Sequence, residues 1–161
     1  MSAPASPNKA DSPASPEPSG FRIRQGVPGD VPTLVAFNQA MARETEDKAL
    51  DEVVLTRGVT RLLERPALGF YLVAEVTGVT EVSEAPGDTS GDLPAHGTPT
   101  VQGSLMVTPE WSDWRDGLFW WIQSVYVRPE ARRGGIYRAL YQEVQGLAVT
   151  EPDVIGLRLY V

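Results

Sequence analysis

Apolar and polar side chains alternate over residues 21–25 (FRIRQ), the pattern of a half-buried strand. A Val-Pro-Gly-Asp turn follows, and Asp30 is suited to cap a helix. From there Val31, Leu34, Val35, Asn38 and Met41 recur at helical spacing, predicting a first helix that frays near residues 43–48. A second helix is predicted over 51–64, with Leu55, Val59, Leu62 and Leu63 on its inner side and Pro66 ending it. Residues 69–78 and 101–108 read as strands joined by a polar, Gly- and Pro-rich loop at about 82–100. Residues 118–127 form a strand apolar on both faces, hence central. Strict alternation puts Trp121, Gln123, Val125 and Val127 on one face and Trp120, Ile122, Ser124 and Tyr126 on the other. Ile136, Ala139, Leu140, Val144 and Leu147 then mark a third helix, and 154–161 a last strand.

Composition narrows this picture. With 161 residues, 42% hydrophobic and 22% charged, the chain fits one globular domain. Residues 1–20, mostly Ser, Pro and Ala, predict a disordered tail ahead of a domain at 21–161. No apolar run approaches the roughly 20 residues of a membrane span. Without cysteine there is no disulfide framework and no thiolate chemistry; with no apolar segment at the N-terminus, a cytoplasmic location is expected. The lone histidine, His96, falls in the long loop with no partner ligands for a metal. A net charge of −7 makes nucleic acid a poor partner.

One stretch departs from that acidity. Between residues 128 and 138, Arg128, Arg132, Arg133 and Arg138 face only Glu130, which leaves a local charge of +3 where a strand turns through glycines into a helix. A basic turn opening a helix points to a specific anion, because helix N-termini present free amides. No Gly-Lys-Ser/Thr follows the glycines, so a Walker A loop is excluded, and no G-x-G-x-x-G opens an early βαβ unit.

The order of elements over residues 21–161, together with SVYVRPEARRGGIYRALY, resembles the GNAT superfamily of acyl-CoA-dependent N-acetyltransferases. In that family the fourth strand leads into Arg/Gln-x-x-Gly-x-Gly/Ala, whose amides hold the pyrophosphate of coenzyme A. The aligned residues are Arg132, Arg133, Gly134, Gly135, Ile136 and Tyr137, followed by Arg138, with Tyr137 where Gly or Ala is usual. The resemblance implies an α/β fold with a mixed, mostly antiparallel central sheet and helices on both faces, here truncated after the fifth strand. It further implies acetyl-CoA as co-substrate and direct transfer to a primary amine of a small molecule or similar acceptor; no metal is expected, because the chain has no cysteine and a single histidine. Val125 and Val127 would bond the pantetheine arm, and Val125 would lie near the thioester carbonyl.

The catalytic groups are less well defined. Many relatives carry a glutamate where this chain has Gln123, and glutamine cannot take a proton. Three alternatives follow: a water relays the proton to another carboxylate, the amine arrives deprotonated, or turnover is poor. Glu44 and Glu46 at the end of the first helix, and Glu110 and Asp113 in the turn before residue 118, are the carboxylates available for relay or for an ammonium. Trp120 and Trp121 are expected to pack against helices on either side of the sheet. Trp111 and Trp114, in the turn, are candidates for an acceptor wall. Relatives add a helix bearing a tyrosine acid after the fifth strand; Tyr160 does not match it, and a bare last strand would let two copies pair. The alternatives are a catalytically idle CoA-binding or interaction module on the same fold, and an unrelated phosphate-binding or structural domain.

Overall fold

A computed structural model describes residues 20–76 and 99–159. The expected tail, the long loop with His96, and Tyr160 lie outside the described residues. Five strands form one sheet in the order β1-β2-β3-β4-β5: β1 (Arg22–Gln25), β2 (Phe70–Val76), β3 (Thr100–Ser112), β4 (Gly117–Val127) and β5 (Val154–Leu159). The first four are antiparallel, while β5 runs parallel to β4. The helices are α1 (Val31–Glu46), α2 (Glu52–Glu64) and α3 (Ile136–Thr150). The mixed sheet with helices on both faces is the architecture expected.

Two apolar layers hold it. On one face Leu140, Val144 and Ile136 of α3 pack on Leu72, Leu105 and Val107. On the other, Leu34 and Phe37 of α1 and Val59 of α2 pack on Tyr71 and Val73. Leu34, Leu72, Leu105 and Leu140 are fully buried, each removing apolar surface worth about 1.5–3 kcal/mol. Gly103 lets α3 begin close above β3, since a Cβ there would sit 2.9 Å from Cγ2 of Ile136. That contact fixes where the basic turn lies.

Several expectations need correction. α1 does not fray near residue 43; it stays regular to Glu46 and closes on Asp47 in the left-handed region, φ 49°. Asp30 precedes α1 but makes no cap; its carboxylate accepts from Val27 N–H (2.8 Å) and from both terminal nitrogens of Arg24 (2.7 and 3.0 Å). Asp51 is the residue that caps, accepting from Val54 N–H at 2.9 Å. β3 continues through Ser112, so Glu110 and Trp111 stand on the strand, and only Asp113 and Trp114 belong to the turn.

The alternation expected along β4 also breaks. Met106 pairs with Ser124 while Val107 pairs with Ile122, so Gln123 is an extra residue with no opposite number. This bulge reverses the parity beyond it. Trp120, Ile122, Val125 and Val127 all join the α3 layer, and Tyr126 joins the α1/α2 layer.

Candidate functional site

β4 delivers the chain to the basic turn, and its last residues leave the sheet's hydrogen bonding on one side. β5 pairs with β4 only from Leu118 to Ile122. Arg128 N–H bonds Gln102 O of β3 at 2.9 Å, so by alternation Val127 and Val125 point their amides the other way, into the gap that β5 vacates. Among the described residues these two amides have no protein acceptor. Splaying of β5 thus exposes a short edge in the middle of the sheet.

The turn continues that edge. Arg133 and Gly135 both take the left-handed conformation, φ 66° and 86°, and α3 opens at Ile136 with no side-chain cap. The first bond into the helix is Ala139 N–H to Gly135 O, 3.0 Å. Among the described residues the amides of residues 133–138 have no protein partner. Six consecutive free donors at a helix N-terminus form an anion cradle. A cleft of about 490 Å³ lies over them, bordered by Val127, Arg132, Arg133, Gly135, Ile136, Tyr137 and Arg138. Tyr137, in the place usual for a small residue, turns along the helix and stacks on Tyr141, ring centroids 6.3 Å apart. Its backbone amide stays open.

The arginines of the turn are not equivalent. Arg132 is committed to protein: its NH2 nitrogen meets Glu44 Oε2 at 2.7 Å, its Nε donates to Val127 O at 2.9 Å, and its guanidinium lies over Tyr126. Glu44 therefore ties α1 to the turn instead of facing a cleft. The hydrogen bond to Glu44 raises the Arg132 pKa, and burial with the Glu44 charge raises that of Tyr126. Arg133 and Arg138 have no ion-pair partner among the described residues.

A second cleft, about 500 Å³, opens on the other face between α1, α2 and the sheet. Gln123 and Ser124 form its floor beside the exposed β4 edge, and Met41, Leu55, Val59 and Met106 wall it. Sequence reading finds only Gln123 among these. Asn38, counted with the apolar stripe of α1, donates to Leu34 O (2.8 Å) and to the Tyr71 hydroxyl (3.2 Å) at the rear of the cleft. Burial holds the Tyr71 pKa above the ordinary phenol value, so the hydroxyl stays neutral. Gln123 Nε2 donates to Thr108 Oγ1 at 2.8 Å, which leaves its carbonyl oxygen free.

The remaining candidates lie apart from that cleft. Glu110 accepts from Arg158 (2.9 Å) and from the indole N–H of Trp121. The indole N–H of Trp121 is thus engaged by Glu110 and Trp121 belongs to neither apolar layer, whereas Trp120 joins the α3 layer as expected, edge-on to Phe70. Asp113 accepts from Trp114 N–H at 2.9 Å. Trp111 and Trp114 are 58% and 93% exposed, and neither lines the second cleft, nor does Glu46 at the end of α1. Among the described residues no group of three His, Cys, Asp or Glu is placed to hold a metal ion.

No protein-family model and no curated protein sequence matches the chain. Solved structures do. A possible acetyltransferase from Clostridium difficile 630 is 38% identical with a TM-score of 0.70, over 88% of this chain and 79% of that one. An acetyltransferase from Arthrobacter sp. FB24, described as putative, shares the fold at 18% identity and a TM-score of 0.60, over 94% and 78% of the two chains. An aminoglycoside acetyltransferase from an uncultured soil metagenomic sample, in complex with sisomicin, shares it at 13% identity and a TM-score of 0.59, over 88% and 78%. With the 38% identity carried over most of both chains, on a five-stranded sheet whose fourth strand opens into a glycine turn, the chain belongs to the GNAT superfamily of acetyltransferases.

Proposed function

We propose that the chain transfers the acetyl group of acetyl-CoA directly to a primary amine of a small molecule. The observation that carries this reading is the continuity of free donors from Val125 and Val127 on β4 to the amides of residues 133–138. A pyrophosphate on the turn amides, with Arg133 and Arg138 beside it, leaves the pantetheine arm to run along β4. The thioester carbonyl then comes to the Val125 N–H, which stabilises the oxyanion as the amine attacks. Gln123 orients the amine through its free carbonyl oxygen and takes no proton.

Glutamine in that position also favours a second reading, a CoA-binding module without turnover. Two measurements separate them. Calorimetry with acetyl-CoA is expected to show binding to a single site, and the absence of heat together with an unmoved melting curve would remove both readings. Thiol release on adding a panel of amines then distinguishes an enzyme from a binder. No described helix is long and apolar enough to cross a membrane; the cytoplasmic location is proposed from the cysteine-free sequence alone. Exposed Ile155 and Leu159 on β5 offer an edge through which two copies pair.

A further inference from the structure

The second cleft has a chemical character of its own. Among the described residues lining it none is charged, and Tyr71 is the sole titratable side chain. Its polar groups are neutral: the Asn38 amide, the Tyr71 hydroxyl, Ser124 and the Gln123 carbonyl oxygen. Of the carboxylates on the neighbouring elements, Glu44 is engaged with Arg132 and Glu110 with Arg158 and Trp121, while Glu46 of α1 and Glu52 and Glu64 of α2 do not line the cleft. An ammonium entering here would lose hydration without a counter-charge, which is costly. It would also meet no base.

We infer that the acceptor is an aromatic amine, uncharged at neutral pH, seated with its ring between Met41 and Met106 and its amino group at Gln123 and Ser124. This rests on the acetyl-transfer reading above. About 500 Å³ accommodates such a molecule, and two thioethers near Tyr71 offer the polarisable contacts that aromatic rings favour. An alkyl amine with the pKa of lysine, about 10.4, is neutral in only about four molecules per ten thousand at pH 7. An arylamine is a weaker nucleophile but is wholly in the reactive form. Its N–H donates to Gln123 Oε1 while the nitrogen lone pair forms the bond to the acetyl carbon. The C–S bond breaks with its electron pair on sulfur, and the proton lost by nitrogen reaches the thiolate through solvent.

The test compares 4-methylaniline with 4-methylbenzylamine, similar in size and apolar surface, as acceptors for the full chain with acetyl-CoA, following thiol release. The aniline is expected to show a kcat/KM about 100-fold the higher at pH 7, flat between about pH 6 and 9, while the benzylamine rate climbs about tenfold per pH unit. Gln123→Glu is expected to narrow that preference by about tenfold, because it supplies the missing carboxylate. Val54→Asp, an exposed position on the cleft wall, is expected to raise KM for the aniline by about tenfold. Turnover of other amines of the panel but not of the aniline, equal or better use of the benzylamine at pH 7, or an aniline KM indifferent to Val54→Asp each overturns the arylamine assignment alone. No acetyl-CoA binding, or binding with no thiol release for any amine, removes the underlying transfer reading instead.

Discussion

The two clefts are built by opposite means. The one over residues 133–138 is made of main chain, from one short run in which Arg133 and Gly135 adopt positive φ and α3 begins without a cap. The one between α1, α2 and the sheet is made of side chains from five elements, with Asn38, Val59, Tyr71, Met106 and Gln123 each supplied by a different one. A backbone site tolerates side-chain change and depends on conformation. A side-chain site tolerates conformational adjustment and depends on which residues arrive. Substitutions should therefore affect the two clefts differently.

The largest effect is expected at Gly135. A Cβ there meets nothing within 4 Å, but the φ of 86° disfavours any L side chain. Gly135→Ala should thus cost about 1 kcal/mol of stability with a modest loss of acetyl-CoA affinity. Gly135→Glu adds a negative charge at the open amides and should weaken acetyl-CoA by about 100-fold or more, read by calorimetry. If Ala and Glu bind acetyl-CoA alike, the amides do not hold the phosphates.

The same contrast explains what the sequence disclosed. Gly134, Gly135 and four arginines within eleven residues mark the turn because its geometry is local, and the strands and helices around it follow from periodicity. The acceptor side was hidden for two physical reasons. Helical spacing assigns Asn38 to a stripe but not to a partner, and its partner Tyr71 is 33 residues away in sequence. Nothing at Gln123, no Gly or Pro, announces the bulge that turns Val125 onto the α3 face. Asp30 departs from expectation for a related reason: local preference suggests a cap, but Arg24 offers two charge-assisted bonds that a cap does not.

That ion cluster gives the next effect, because it anchors the start of α1 and so the wall of the acceptor cleft. Arg24 pairs with Asp30 and Glu75, and Arg22 also reaches Glu75. Burial alone would push the Asp30 carboxyl up, yet Arg24 and the Val27 N–H hold it below its ordinary value, while bonds from Arg24 and Arg22 lower that of Glu75. Since both folded pKa values are depressed, the stabilisation is fully present above the unfolded range of about 4 and is lost as pH falls below it. Asp30→Asn should cost about 2 kcal/mol by urea unfolding at pH 7, less than the 3–5 of a fully buried pair because Arg24 is partly exposed. The difference from wild type should shrink below about pH 4. Acetyl-CoA affinity should hold; a parallel loss there would show that the two clefts are not independent.

The smallest effect sharpens the comparison within the turn itself. If main chain does the binding, the arginines should matter in proportion to how free their charge is. Arg133 and Arg138 have no protein partner among the described residues, whereas Arg132 is held by Glu44 and the Val127 carbonyl. Arg133→Ala and Arg138→Ala should each weaken acetyl-CoA by about tenfold, and more at low salt, as expected for exposed charges near phosphate. Arg132→Ala should weaken it by less than about threefold, and Glu44→Gln by no more, since an exposed pair of this kind contributes little. A loss at Arg132 as large as at Arg133, with Glu44→Gln tightening binding, would mean that Glu44 competes with the phosphates for Arg132. The turn would then be a side-chain site as well, and α1 would couple it to the acceptor cleft.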